Sequence, residues 1–252
     1  MNLQVVIDTL PRFLDGALLT LEITAISVVV GLVCAVPLAV LRVSRNPLLS
    51  WPVYGFAFVF RGTPLLVQLF LIYYGAGQFA GALKTVGLWT FFRDPWFCGV
   101  FTLTLNTAAY TVEILRGGIQ AVPHGEVEAA RAFGMSGAKL YTRIIMPKAW
   151  RIAFPAYTNE VIFLLQATSL VSLITLMDIT GVASSAADRS FAYYELYLTA
   201  AAIYLVIVYS LQGIFRRLER RLSGHLRART AEDSAGEPGR GAPAADSTLP
   251  RG

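Results

Sequence analysis

Five stretches of about twenty or more residues in this chain carry almost no charge. They run from about Leu18 to Leu41, Pro52 to Gln78, Trp96 to Leu115, Ile152 to Leu176 and Leu196 to Phe215. Crossing a hydrocarbon core of about 30 Å takes roughly 20 apolar residues at ~1.5 Å rise each, so each run is long enough to span a bilayer. Lipid offers the backbone no hydrogen-bond partner, which leaves helices as the way for such runs to cross. Composition agrees: 55% of the 252 residues are hydrophobic and 15% charged, and the mean hydropathy is clearly positive, too oily for a soluble domain of this size. The expected fold is an all-α integral membrane protein of about five transmembrane helices. An odd number of spans sends the two termini to opposite sides.

The second run is unusually long and contains Arg61, Gly62, Thr63 and Pro64. Proline removes a backbone donor and turns the preceding residue away from helical angles. The run therefore reads as an interfacial helix, a break and then a span, with Arg61 where the span meets the cytosolic interface. Orientation follows from charge. Arg42, Arg45, Arg116, Arg131, Lys139, Arg143, Lys148, Arg151 and the cluster Arg216, Arg217, Arg220 and Arg221 follow runs one, three and five, whereas the N-terminus and the other two loops offer Arg12, Lys84, Arg93 and Arg189. The positive-inside rule puts the N-terminus outside and the long loop (residues 116–151) and the C-terminus in the cytosol. The net charge of +5 reflects this bias, and no aromatic-interleaved basic surface speaks for nucleic acid.

The first run is retained as a span: its leader carries Asp8 and Asp15 against Arg12 and lacks the basic region of a signal peptide. Cys34 and Cys98 fall within spans without metal-ligand spacing, and read as small buried residues. Residues 1–222 form the membrane domain. From Ser223 the composition turns to Ala, Gly, Pro, Asp and Ser, which predicts a disordered cytosolic tail over 223–252. No internal repeat is evident.

Within the loop, Glu126 to Phe133 reads as a short helix with acids in its first turn, favourable to the helix dipole. Gly134 interrupts it, Ser136 is placed to cap a second helix through about Ile145, and Pro147 stops that helix. Ala129, Ala130, Phe133, Leu140 and Ile144 are available for burial. A surface helix packed on its own protein satisfies these observations as well as a docking element does. The spacing Glu128-Ala129-Ala130, three residues to Gly134, nine more to Ile144 and then Ile145-Met146-Pro147 resembles the EAA motif of ABC-importer permeases. Methionine stands where that family usually has leucine before the proline, a change that keeps volume and apolarity. Arg61-Gly62-Thr63-Pro64-Leu65, LTLNTAAYTVEILRGGIQ and VPHGEVEAARAFG extend the resemblance over roughly residues 15 to 220, nearest to polar amino-acid permeases of the histidine, arginine and opine type.

That resemblance implies an ATPase-coupling role for Glu128, Ala129, Ala130, Gly134 and Pro147, with the short helix docking in a cleft of a cytosolic ATPase and Glu128 holding the loop through hydrogen bonds or ion pairs. It also implies an ABC ATPase dimer, a second permease subunit (identical or not) and an extracytoplasmic substrate-binding protein as partners, in a bacterial inner membrane. The chain has no G-x-x-x-x-G-K-[ST] phosphate loop, so ATP and Mg²⁺ belong on the partner ATPase, no cofactor or metal is expected here, and the chain is not an enzyme. His124 and His225 both fall in predicted cytosolic segments, leaving no histidine-based catalytic group in the membrane.

Ionisable groups inside spans cost a few kcal/mol at mid-bilayer and mark function or pairing. Glu160 is the outstanding one. Asn159, Phe163 and Gln166 follow i, i+4, i+7 and share one helical face, with Glu160 at its margin. Such a face suits an amino acid, its amides for the polar head and Glu160 for a cationic group, although an interhelical hydrogen-bond network would use the same residues. A second stripe, Thr102, Asn106, Tyr110 and Glu113, reads as bundle or dimer interface, with Glu113 paired to Arg116. Arg61, Thr63, Pro64, Asn106 and Glu113 are accordingly assigned gating or structural roles. The sequence thus predicts a permease subunit of an ATP-driven importer for a polar, cationic amino acid or derivative, of the histidine, arginine, lysine, ornithine or opine class. A non-transporting membrane scaffold is the alternative. An ion-driven secondary transporter fits less well, because inverted repeats are lacking.

Overall fold

The computed structural model describes the backbone of residues 3–235 and the side chains of residues 4–221. Helix α1 (Leu3–Arg42) is followed by α2 (Pro47–Gly62), α3 (Leu65–Gln78) and two short helices, α4 (Ala80–Thr85) and α5 (Trp89–Phe92). Then come α6 (Pro95–Gln120), α7 (His124–Ala132), α8 (Gly137–Leu140), α9 (Met146–Ala167), α10 (Ile179–Ser190) and α11 (Tyr193–Ala235). A π-turn at Tyr141–Ile145 joins α8 to α9, and a 3₁₀ segment at Thr168–Ile174 extends α9. No β-strand occurs among the described residues.

Among the described residues, four continuous segments are long and apolar enough to cross a bilayer, and α2 with α3 makes a fifth only as a pair bent by 102°. Three predicted spans grow at their ends. Helix α1 begins at Leu3 rather than near Leu18, with Pro11 and Pro37 inside it. Asp94 accepts a hydrogen bond from Trp96 N to cap α6. Helix α11 continues past Phe215 to Ala235; the part of the predicted tail from 236 onward lies outside the described residues.

Helix α6 is the axis of the bundle. It carries the longest set of buried residues and packs along α1, α9, α3 and α2. Two glycines permit close approach of α6 to its neighbours: a Cβ on Gly31 of α1 would lie 2.6 Å from the Thr107 methyl, and one on Gly118 of α6 would lie 2.6 Å from the Ala149 carbonyl oxygen of α9. The close contact of small residues supplies van der Waals packing, which drives helix association where lipid removes the hydrophobic incentive. Cys98 is buried as expected, but Cys34 is exposed on α1.

The segment between runs four and five, read from sequence as a loop, contains helix α10. Its start is fixed by Asp178, which accepts hydrogen bonds from Thr180 N and Gly181 N and from the Tyr204 hydroxyl of α11. Ile179, Val182, Ala183, Ala186 and Ala187 bury one face of α10 with Phe13 of α1 and Leu196 of α11.

Candidate functional site

The bend between α2 and α3 opens a cavity of about 590 Å³ against α6 and α9. Arg61, Gly62, Thr63, Pro64 and Leu65 line it from the bend, Asn106 and Tyr110 from α6, and Glu160, Phe163, Leu164 and Ala167 from α9. Arg61, Thr63 and Pro64 are exposed, so the cavity opens at the surface of the chain. Two opposite charges share it. The Arg61 guanidinium lies 5.3 Å from the centroid of the Tyr110 ring, a cation–π distance. Glu160 is 9% exposed, and Thr107 of α6 and the Arg61 cation are the groups that act on its carboxylate.

Asn106 donates to the Phe60 carbonyl oxygen at the end of α2, at 3.3 Å. Because Asn106 is near the middle of α6, the bend sits at mid-bundle. Arg61 therefore stands at mid-bundle and not at the end of a span, where the break at Gly62–Pro64 had suggested it. It is held deep because the two half-helices, of 16 and 14 residues, are each too short to cross at ~1.5 Å per residue. Arg61 and Gly62 also line a second cavity, of about 340 Å³, with Tyr54, Phe58 and Glu113. One arginine thus stands between the central cavity and the end of the bundle that carries the basic residues.

At that end Glu113 Oε2 accepts from Arg116 Nε at 2.6 Å, the pair expected from the spacing, and its Oε1 accepts from Arg42 Nε of α1 at 3.1 Å. Arg42 lies 4.8 Å from the Tyr54 ring centroid of α2. The carboxylate ties α6 to α1, and Arg42 extends the link to α2.

The polar stripe on α9 divides. Glu160, Leu164 and Ala167 point into the central cavity with Phe163 at its edge, 66% exposed. Asn159 instead lines a separate cavity of about 280 Å³ toward α11, with Thr158, Gln212, Arg216 and Glu219, and Gln166 is exposed. At 100° per residue the Asn159–Gln166 face is one residue's turn away from the Glu160–Leu164 face. Of the predicted face, Glu160 and Phe163 line the central cavity, while Asn159 and Gln166 do not.

Helix α7 and Gly134 form the predicted bend, Gly134 taking a left-handed φ of 77° that favours glycine. Ala130, Leu140 and Ile145 pack onto the ends of α1, α6 and α9 through Ala39, Leu115, Ile119 and Ala149. Ala129 and Phe133, expected to be available for burial, are exposed, Phe133 at 88%. Glu128 is also exposed; the acid that ties the loop to α9 is Glu126, paired with Lys148. Pro147 does not stop a helix. The amide of Met146 reaches back five residues to the Tyr141 carbonyl, and this widened turn carries the loop helix into the span without a break. Ser136 occupies the position before α8 without a side-chain capping bond.

Two residues of this region escaped the sequence reading. Gln68 of α3, 7% exposed, donates to carbonyls at the bend, and Thr107 acts on the Glu160 carboxylate. Gln68 was detectable as a lone amide inside LLVQLFL, since an intramembrane polar group requires a partner.

Residues 27–224 match the family described as the binding-protein-dependent transport system inner membrane component. The chain is 46% identical over 229 residues to the nopaline transport system permease protein NocM of Agrobacterium fabrum (strain C58), a match covering 91% of this chain and 95% of that protein. It is 44% identical over 212 residues to the histidine/lysine/arginine/ornithine transport system permease protein HisM of Escherichia coli (strain K12), covering 84% and 89%. Among solved structures, one described as an amino acid ABC transporter with histidines superposes with a TM-score of 0.77 at 33% identity, covering 88% of this chain and 99% of that one. The all-helical bundle, its bent second span and these likenesses agree: the chain belongs to the family of binding-protein-dependent transport system inner membrane components.

Proposed function

We propose that this chain forms one half of the membrane pathway of an ATP-driven importer for a cationic amino acid or opine. The chain is a permease and not a catalyst; ATP hydrolysis belongs to a separate subunit. The observation that carries the substrate reading is the buried Glu160 carboxylate facing a cavity of about 590 Å³. A carboxylate in low dielectric favours a cationic group, and a guanidinium can meet both of its oxygens with paired N–H donors. The names of NocM and HisM, which carry nopaline and histidine, lysine, arginine and ornithine, support the same class.

Coupling is assigned to α7 and the turn after it. Glu128, Ala129, Phe133 and Gly134 form an exposed tip, while Ala130 and the Glu126–Lys148 pair fix its base to the spans. A base of that kind transmits a displacement to α9, which a slack loop would not. In this reading the tip docks on an ABC ATPase dimer that binds ATP and Mg²⁺, and Pro147 shapes the passage from loop to span. The tip and the basic ends of α1, α6 and α11 face the cytosol across a bacterial inner membrane, and an extracytoplasmic binding protein delivers substrate at the opposite end. Exposed Asn159 and Gln166, on a helix of spanning length, are costly against lipid and face a second permease subunit or the shared path. Asn106, Thr63 and Pro64 hold the cavity wall, and Arg61 gates it.

The test is ATP-dependent uptake of labelled arginine into proteoliposomes containing the chain, its partner permease, ATPase and binding protein, comparing wild type with E160Q. The variant is expected to lose uptake by at least about tenfold with the complex assembled, the scale of one charge-assisted contact. Unchanged uptake by E160Q would remove Glu160 from the path.

A further inference from the structure

We infer that Gln68 is a positioning residue for this cavity: its buried side-chain amide clasps the bend between α2 and α3 and thereby fixes where the Arg61 side chain stands. The inference rests on the reading of the cavity as the substrate path, and concerns a residue that does not itself line that cavity.

The argument begins with the end of α2. The last carbonyls of a helix have no partner within it, and in a membrane, water is not at hand to supply one. Here side chains do so, and Gln68 is the one that reaches both sides of the bend. Gln68 Nε2 lies 2.8 Å from the Phe60 carbonyl oxygen, 3.0 Å from that of Thr63 and 2.8 Å from Thr63 Oγ1. The Thr63 hydroxyl donates its own hydrogen to the Val59 carbonyl at 2.7 Å, so it meets Gln68 as an acceptor. Two amide hydrogens are thus shared among three acceptors. The other end of the amide is also engaged, Gln68 Oε1 accepting from Asn106 Nδ2 of α6 at 3.1 Å, and the same nitrogen donates to Phe60 O.

Phe60 and Thr63 bracket Arg61 and Gly62. Pinning the carbonyls on both sides leaves the Arg61 backbone little freedom, although Gly62 next to it would otherwise be a natural hinge and has open space around it. The consequence is a fixed elbow. Arg61 lies over Tyr110 and lines both the central cavity and the one reaching Glu113. Removing the clasp would let the arginine wander while leaving the apolar contacts of Leu69, which is buried with Leu103 and Leu164, in place.

The decisive experiment measures ATP-dependent uptake of labelled arginine by the reconstituted complex for wild type, Q68M, Q68E, R61M and the double variant Q68M/R61M. Methionine keeps volume without donors; glutamate keeps the acceptor for Asn106 and loses the donors. Both are expected to raise KM about tenfold with kcat within about twofold, a loss of positioning felt in substrate capture. Since Gln68 acts through Arg61, Q68M is expected to add less than about twofold to the KM of R61M. Multiplied effects in the double variant, or wild-type KM in both Gln68 variants while R61M raises it, would overturn the inference alone. Failure of both Gln68 variants to assemble would make Gln68 a folding residue and overturn it equally. Wild-type KM for R61M and E160Q together would instead bring down the cavity reading, and the inference with it.

Discussion

Two prolines in this chain stand between helical segments that belong to one span, and only one of them accompanies a break. At Gly62-Thr63-Pro64 the chain turns through 102°. At Pro147 the helix continues from the loop into the membrane. Each proline lacks a donor and crowds the carbonyl one turn back, so the residue by itself does not decide the outcome. The difference is in what takes the freed carbonyls. At the elbow, Gln68 and Asn106 bring side-chain donors to Phe60 and Thr63. At Pro147 the backbone absorbs the misfit as one π-turn, the Met146 amide bonding to Tyr141. In a medium without water a sharp break persists where a neighbouring side chain satisfies it, and otherwise the helix bulges and goes on.

Both features lean on α6, the elbow through Asn106 and the start of α9, just past the π-turn, through Gly118. The largest effect is therefore expected from G118V, which would place a Cβ 2.6 Å from the Ala149 carbonyl oxygen. Helix α9 would have to move away, at a cost of about 3 kcal/mol. Thermal melting of the purified complex should show a clear fall and a reduced assembled fraction. Melting like wild type would mean that the first turns of α9 shift freely, and that α6 does not anchor the continuous helix.

A smaller effect is expected from P64A. Pro64 precedes α3 with a φ of −62°, an angle alanine also adopts, and the carbonyls of the bend keep their partners in Gln68 and Asn106. Arginine uptake should retain its KM within about twofold. A KM as high as that of Q68M would assign the bend to the proline ring, and the contrast between the two prolines would then need another cause.

Sequence reading recovered whatever depends on local composition. The five apolar runs, the break at Arg61–Pro64 and the Glu113–Arg116 pair follow from charge, spacing and proline chemistry, and the structure has all of them. Depth and azimuth were not legible. The break at Gly62–Pro64 suggested that Arg61 stands where the span meets the interface; its actual place depends on Asn106, 45 residues further along the chain. The face of α9 that meets the cavity is set by where α6 and α2 lie, which periodicity cannot supply. Phe133 stood among the residues available for burial opposite the charged side of the loop, yet the loop buries Ala130 and Leu140 and leaves the ring out. Helix α10 was missed because its buried face is built largely of alanine, Ala183, Ala186 and Ala187, a weak hydrophobic signal that packs well only against close neighbours. Asp178, its cap, was the available sign.

The smallest change is expected from P147A, and it bears most directly on the contrast between the two prolines. Alanine restores a backbone N–H at the start of α9, where the π-turn has already displaced the hydrogen-bond ladder by one residue. The new donor can join that displaced ladder with little rearrangement, so stability should change by less than about 1 kcal/mol. Reverting to a regular α-turn would instead drop one residue from the turn and rotate everything before it by roughly 100°. Leu140 and Ile145, now buried with Ala130 and Ala149, would leave their packing, and the exposed tip of α7 would swing with them. The ratio of ATP hydrolysed to arginine taken up separates these possibilities. A ratio like wild type shows that Leu140 and Ile145 hold the register and the proline merely tolerates it. A ratio several-fold higher, with assembly intact, shows that the proline sets the register by which the loop pushes on the span.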